Sequence, residues 1–165
     1  MTDGRKVMLE NGEARTHERA VQLLRRDYPY VIFRTDFAAG IKLPPWLARR
    51  QKLLQWGKGY PDLTILQPAK PAGYSSFCHG LFIEIKAAGV KLKLRDGRWA
   101  EPHFEAQFKV LQMLHDRGYA VAFAVGDEQI KAVLEWYLSG TSDLDFDEGF
   151  IPIIRRHEVI ESELF

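Results

Sequence analysis

Asp62 closes a Gly59-Tyr60-Pro61-Asp62 turn, and Glu84 and Lys86 stand two apart in Phe82-Ile83-Glu84-Ile85-Lys86. A carboxylate opening one strand and a Glu-x-Lys on the next can meet at one edge of a sheet. Strand residues i and i+2 share a face, so Glu84 and Lys86 lie together while Ile83 and Ile85 point the other way. Carboxylate pairs suit Mg2+ or Mn2+, hard cations that prefer oxygen ligands and keep several waters. Such an ion polarises a phosphate and lowers the pKa of a bound water, which is the chemistry of phosphodiester hydrolysis. Asp62 and Glu84 are the candidate side-chain ligands, with the backbone carbonyl of Ile85 as a third oxygen. Lys86 orients or deprotonates the attacking water, or stabilises phosphoryl charge. An ammonium beside two carboxylates stays protonated, which favours the electrostatic role.

Two more polar residues fit this chemistry. Glu13 lies four residues before His17 and extends a helical stripe of His17, Val21, Leu24 and Tyr28, so it leans over the sheet edge. Glu18 is the rival acid on that helix. Gln107 falls between Phe104 and Phe108 on an apolar helix face, where it either bonds a group of the site or sits on the solvent rim. By themselves Pro-Asp is a common turn opener and Glu-x-Lys a common surface ion pair; their joint occurrence at adjacent strand ends gives them weight. An apolar strand ending in Glu-x-Lys also places charge where burial is costly unless it is paired or bound to metal.

The elements that must position these residues follow from periodicity and turn residues. Residues 1–12 read as a loose polar leader, and a helix then runs to Pro29. Tyr30 to Arg34 is a β-branched and aromatic strand. Pro44-Pro45 opens a helix over Trp46 to Trp56, which Gly57 and Gly59 stop. Leu63 to Leu66 and Leu81 to Lys86 are apolar strands, the second central. Lys91 to Trp99 alternates around Asp96-Gly97, a hairpin signal. Phe104, Phe108, Leu111, Leu114 and His115 mark an amphipathic helix closed by Gly118. Tyr119 to Val125 is a buried strand and Glu128 to Leu138 a last helix, with Phe150 to Ile154 as a candidate edge strand. Three sequential strands make an antiparallel meander, and a strand–helix–strand unit needs a parallel crossover. The expected class is α/β, a four-stranded mixed sheet with helices on both faces, a helical insert at 44–58 and a hairpin insert at 91–99.

At 165 residues, with 46% hydrophobic and 27% charged residues, the chain reads as one domain over 1–165: a core of 13–138, the leader, and an acidic tail at 141–165. No apolar run reaches the roughly 18–20 residues of a membrane span. Met1 to Gly12 lacks the apolar core of a signal peptide. Cys78 is the single cysteine, which suits the reducing cytoplasm. The net charge of +1 hides a strong asymmetry. No Asp or Glu occurs between Phe37 and Pro61, where Lys42, Arg49, Arg50, Lys52 and Lys58 fall. Lys91, Lys93 and Arg95 form a second basic stretch. These eight are the candidate contacts to a nucleic-acid backbone. Trp46, Trp56 and Trp99 read as packing residues of the two inserts, with stacking on unpaired bases as the alternative.

Taken in order, the stretches EARTHERAVQLLRRDYP, VIFRTDFAAGIKL, KGYPDLTIL, HGLFIEIK, DGRW, HFEAQ and RGYAVAFAVG resemble the VRR-NUC branch of the PD-(D/E)xK nuclease superfamily. The stand-alone phage and prophage members are the nearest in pattern, and the resemblance covers roughly residues 13 to 138. It implies a restriction-endonuclease-like αβββαβ core and metal-dependent DNA cleavage in a host cytoplasm. Branched, flapped or Holliday-junction DNA is the implied substrate, and a homodimer the implied assembly of some members. It also places the helix glutamate on Glu13, the Pro-Asp acid on Asp62, the Glu-x-Lys on Glu84 and Lys86, and the glutamine after the hairpin on Gln107. One departure stands out: where the family commonly has glutamine four residues after the helix glutamate, this chain has His17.

Two rival functions remain at the level of sequence. One is a catalytically weak or inactive nuclease fold that holds DNA without cutting. The other is a phosphodiesterase for RNA or a small molecule; open basic surroundings favour a polymer. His79 has no partner at zinc-ligand spacing. Gly57-x-Gly59 lacks the Lys-Ser/Thr of a nucleotide cradle.

Overall fold

Side chains that alternate between two covered faces along one six-residue strand organise the whole molecule. In the computed structural model, which describes residues 3–36, 43–54, 56–57 and 59–139 and side chains from Gly12 onward, this strand is β3 (Leu81–Lys86). Every one of its residues is buried. Leu81, Ile83 and Ile85 face one side and join Leu63, Ile65, Ala120, Ala122 and Ala124. Helices α1 (Asp3–Asp27) and α4 (Gly126–Ser139) cover that side with Ala20, Leu24, Ile130, Val133 and Leu134. Phe82 faces the opposite side with Val121 and Phe123, beneath Phe104 and Leu111 of α3 (Pro102–His115).

The sheet order is β1 (Phe33–Thr35), β2 (Leu63–Ile65), β3, β4 (Ala120–Val125). The first two pairings are antiparallel and β3 with β4 is parallel. This is the expected meander followed by a helical crossover, a mixed α/β sheet with helices on both faces.

Local details depart from the sequence expectation in four places. First, α1 begins at Asp3, so the stretch read as a loose leader is helical. Asn11-Gly12 hid that continuity, because both are poor helix formers. Gly12 serves a packing purpose instead: a Cβ there would lie 3.2 Å from the Ala87 Cβ, so its absence lets α1 approach the end of β3. Second, β1 is three residues centred on Arg34; Tyr30 and Ile32 are exposed before it, despite their strand propensity.

Third, the 91–99 hairpin forms with one isolated bridge, Lys93 to Trp99, and Leu94 accepting from the amide of Gly97. Leu92 and Trp99 pack inward onto the α3-side cluster, which leaves too few residues for a ladder. Fourth, the helical insert is α2 (Pro45–Leu54), and none of its residues is buried. Fully burying a large apolar side chain contributes about 1.5–3 kcal/mol, so α2 gains little from the core. Trp46 and Trp56 are therefore not the packing residues expected; they are 66% and 69% exposed. Trp99 does pack, 5.0 Å from Phe108 and 6.0 Å from Phe123. Lys42, Lys58, the acidic tail 141–165 and the Phe150–Ile154 strand lie outside the described residues. Among the described residues no helix is long and apolar enough to cross a membrane.

Candidate active site

The even-numbered side of β3 turns from apolar to charged in one step, from Phe82 to Glu84 and Lys86. Glu84 is 1% and Lys86 5% exposed. Charges buried that deeply need partners, and they have them. Lys86 Nζ donates to Glu84 Oε1 at 2.8 Å and lies 3.9 Å from Glu13 Oε1. Its ammonium also sits 5.7 Å from the centre of the Phe104 ring. Burial alone favours the neutral amine, but Glu84, Glu13 and Asp62 together outweigh it and raise the pKa of Lys86. The lysine is therefore a fixed positive charge.

Asp62 arrives from the neighbouring strand, at the mouth of β2. Gly59 takes φ +83°, a conformation glycine adopts without penalty, and its missing Cβ faces Gln107 of α3. The turn that follows carries Asp62 onto β3, where the Ile85 amide donates to Asp62 Oδ2 at 2.8 Å. Sequence reasoning gave Ile85 a role through its carbonyl. Its N–H has one too, orienting the aspartate, and no side-chain pattern signals such a contact.

Two further side chains complete the arrangement. Gln107 Nε2 donates to Glu84 Oε1, which places this helix residue against the site and not on the rim. His17 Nε2 lies 3.6 Å from Asp62 Oδ2. On α1, Glu13 faces this cluster while Glu18 is exposed. Asp62, Glu84, Lys86, Glu13 and Gln107 thus come together, with His17 as a member the sequence pattern left without a role.

The electrostatics are unbalanced. Burial first, and then the Asp62 charge, push the Glu84 carboxyl well above the usual carboxylate range, although Lys86 pulls it down. Glu84 Oε2, His17 Nε2 and Gln107 Oε1 are buried with no hydrogen-bond partner. Three carboxylates against one ammonium leave a formal surplus of two negative charges, which one divalent cation would neutralise. Among the described residues no three His, Cys, Asp or Glu side chains form a metal-binding group. That donor set suits Mg2+ better than zinc, since Mg2+ binds through one or two carboxylates and retains waters. The residues present fit such an ion.

The described basic candidates are carried by two elements. Arg49, Arg50 and Lys52 are exposed on α2, and Lys91, Lys93 and Arg95 are exposed on the 91–99 loop. Lys93 also lies 5.0 Å over the Trp99 ring.

No family model and no curated protein matches the chain. A solved structure described as a "VRR_NUC domain protein" is similar at 24% identity, over 80% of this chain and 96% of that chain, with a TM-score of 0.50. The likeness establishes the fold: the four-stranded mixed sheet and its flanking helices are of the restriction-endonuclease-like kind.

Proposed function

We propose that this chain is a VRR-NUC-type member of the PD-(D/E)xK superfamily that hydrolyses DNA phosphodiester bonds with Mg2+ or Mn2+. One observation carries the reading: the buried carboxyls of Glu84 and Asp62 lie against each other with a single ammonium, Lys86, to share. A structural ion pair would leave no such surplus of negative charge. Asp62 and Glu84 would hold the cation, with the Ile85 carbonyl as a further oxygen, while Glu13 stands beside Lys86 at the edge of the site. When bound, the ion supplies Lewis-acid polarisation of the phosphate and a water of lowered pKa.

The chain's own residues do the rest. The Ile85 amide fixes Asp62, and Gln107 fixes Glu84. Lys86, held charged in a buried setting, stabilises negative charge developing on the phosphoryl oxygens. Arg49, Arg50 and Lys52 on α2, and Lys91, Lys93 and Arg95 on the 91–99 loop, hold backbone phosphates and so position DNA without reading its sequence. Branched or flapped DNA is the proposed preference within that class.

Purified protein incubated with supercoiled and branched DNA should nick or cut it in Mg2+ or Mn2+ and leave it intact in EDTA. Binding with no cleavage in either metal would reduce the molecule to a DNA-holding module. With six such phosphate contacts, affinity should fall about a thousandfold between 50 and 200 mM salt. An affinity insensitive to salt would remove the two basic elements from the interface.

His17 gives a finer test. His17 Nε2 stands 3.6 Å from Asp62 Oδ2, close enough to turn and bond that carboxylate once a cation draws it into place, and partners of that kind typically contribute about 10–100-fold to metal affinity. His17→Ala is therefore expected to weaken Mn2+ binding by that factor in a calorimetric titration. Unchanged affinity would make His17 a space-filler beside Asp62.

A further inference from the structure

Two large aromatic side chains, Trp56 and Tyr60, stay 69% and 42% exposed beside the buried site. They divide two hollows of about 210 Å3 each, and both rings line both hollows. One hollow lies over β1 and β2, with Arg34, Asp36, Leu54 and Thr64 in its wall. The other lies against α3, at Val110, Met113 and Arg117.

Register ties the first hollow to the chemistry. Arg34 pairs with Thr64, and Thr64 with Phe82. All three therefore sit on the face of the sheet that carries Glu84 and Lys86. Tyr60 precedes Asp62 by two residues and packs edge-on against Phe82, ring centroids 5.9 Å apart. The Asp36 amide donates to the Asp62 carbonyl at 2.8 Å. Tyr60 thus belongs to the turn that delivers Asp62, and Trp56 meets it across the walls of both hollows.

We infer that Trp56 and Tyr60 form a stacking site for an unpaired nucleobase next to the scissile phosphate, which makes locally single-stranded DNA the preferred substrate. This rests on the proposed nuclease reading and adds the feature that selects the substrate. Charge argues for the occupant. The approach along α2 carries Arg49, Arg50 and Lys52 and no acid, which attracts a polyanion. The hollow itself contains both Arg34 and Asp36, so its wall suits a polar neutral ring better than a phosphate. Its volume is below the roughly 300–1,000 Å3 of pockets for drug-sized ligands, so it takes one ring system. Aromatic faces exposed at such a place stack on any base, because every base has a π face.

The test is fluorescence anisotropy in EDTA, so that binding is read without cleavage. Wild type, Trp56→Ala and Trp56→Phe are titrated with a labelled single strand, the same strand with abasic residues, and a blunt duplex. Trp56→Ala should weaken single-strand binding about tenfold, with duplex binding changed less than twofold. Trp56→Phe should recover most of the loss, and the abasic strand should bind wild type as weakly as the normal strand binds Trp56→Ala. Trp56 is exposed, so the variants should keep the wild-type melting temperature. Equal weakening on both DNAs, no weakening, or indifference to abasic residues would overturn the inference. So would an apolar protein partner whose binding needs Trp56 while DNA binding does not. The two readings fail separately: a protein that shows this pattern yet never cuts keeps the base-stacking site and loses the nuclease reading together with the claim about substrate. A protein that cuts with Trp56 irrelevant loses only the stacking site.

Discussion

Glu84→Gln is expected to cut DNA at about a thousandth of the wild-type rate or less, while still folding and still binding DNA. The substitution keeps the side chain's shape and its acceptor for Gln107, and removes the charge that would hold the cation. Losing about 4 kcal/mol of transition-state stabilisation, within the range that a Lewis acid supplies, is about a thousandfold in rate. Thermal unfolding of the metal-free variant should fall below wild type but remain cooperative, since Lys86 loses its 2.8 Å partner and keeps Glu13 3.9 Å away. Glu84 contributes an ionised form that burial already disfavours, and Lys86 retains Glu13 and Asp62 nearby. Cleavage assays across Mn2+ concentration decide the matter. Full metal-dependent cutting by Glu84→Gln would place the active centre elsewhere.

Lys86→Met is the second large effect, and it should appear in both rate and stability. Removing a fixed charge aimed at a developing oxyanion costs about 10²–10³ in rate. The stability effect depends on pH, and its direction follows from Glu84. In the fold its pKa lies above the unfolded value, so the protonated acid is favoured by folding. That contribution is complete below the unfolded pKa and disappears as pH rises through the folded one. Without Lys86 the folded pKa climbs further, because the opposing charge is gone. Where Glu84 is protonated the variant should lose little. Above that window, a buried carboxylate without its partner costs about 3–5 kcal/mol. Denaturant unfolding of metal-free protein at acidic and alkaline pH measures the difference. A penalty that is flat across pH would mean that Lys86 acts through packing alone.

The core of this site was readable because β3 states its own geometry. Apolar Leu81, Ile83 and Ile85 demand one face, so Glu84 and Lys86 must share the other. Asp62 followed from the turn before an apolar strand, and Gln107 from being polar on an apolar helix face. Helical spacing offered Glu13 with Glu18 as its rival, and only the way α1 lies across the sheet separates the two. What escaped was contact through backbone or across elements. The Ile85 amide on Asp62 has no side-chain signature. His17 beside Asp62 depends on how α1 lies across the sheet. The helical start at Asp3 was masked by Asn11-Gly12, whose low propensity is overridden where Gly12 meets Ala87.

Misjudging Trp46 and Trp56 has a different origin. Composition says what an aromatic residue prefers, and burial says what the fold has room to cover. Trp46 and Trp56 read as packing residues of the helical insert, and Leu53 and Leu54 lie between them. All four are exposed, and a hollow remains open between the end of α2 and β1 and β2.

That separation bears on how such a molecule can diversify. A ten-residue helix with no buried residue contributes nothing to the two hydrophobic layers that seat the acids. Its residues can drift, lengthen or be exchanged without disturbing the hydrophobic layers that seat the acids. Selection can therefore retune which polymers are gripped while inheriting the bond-breaking apparatus unchanged.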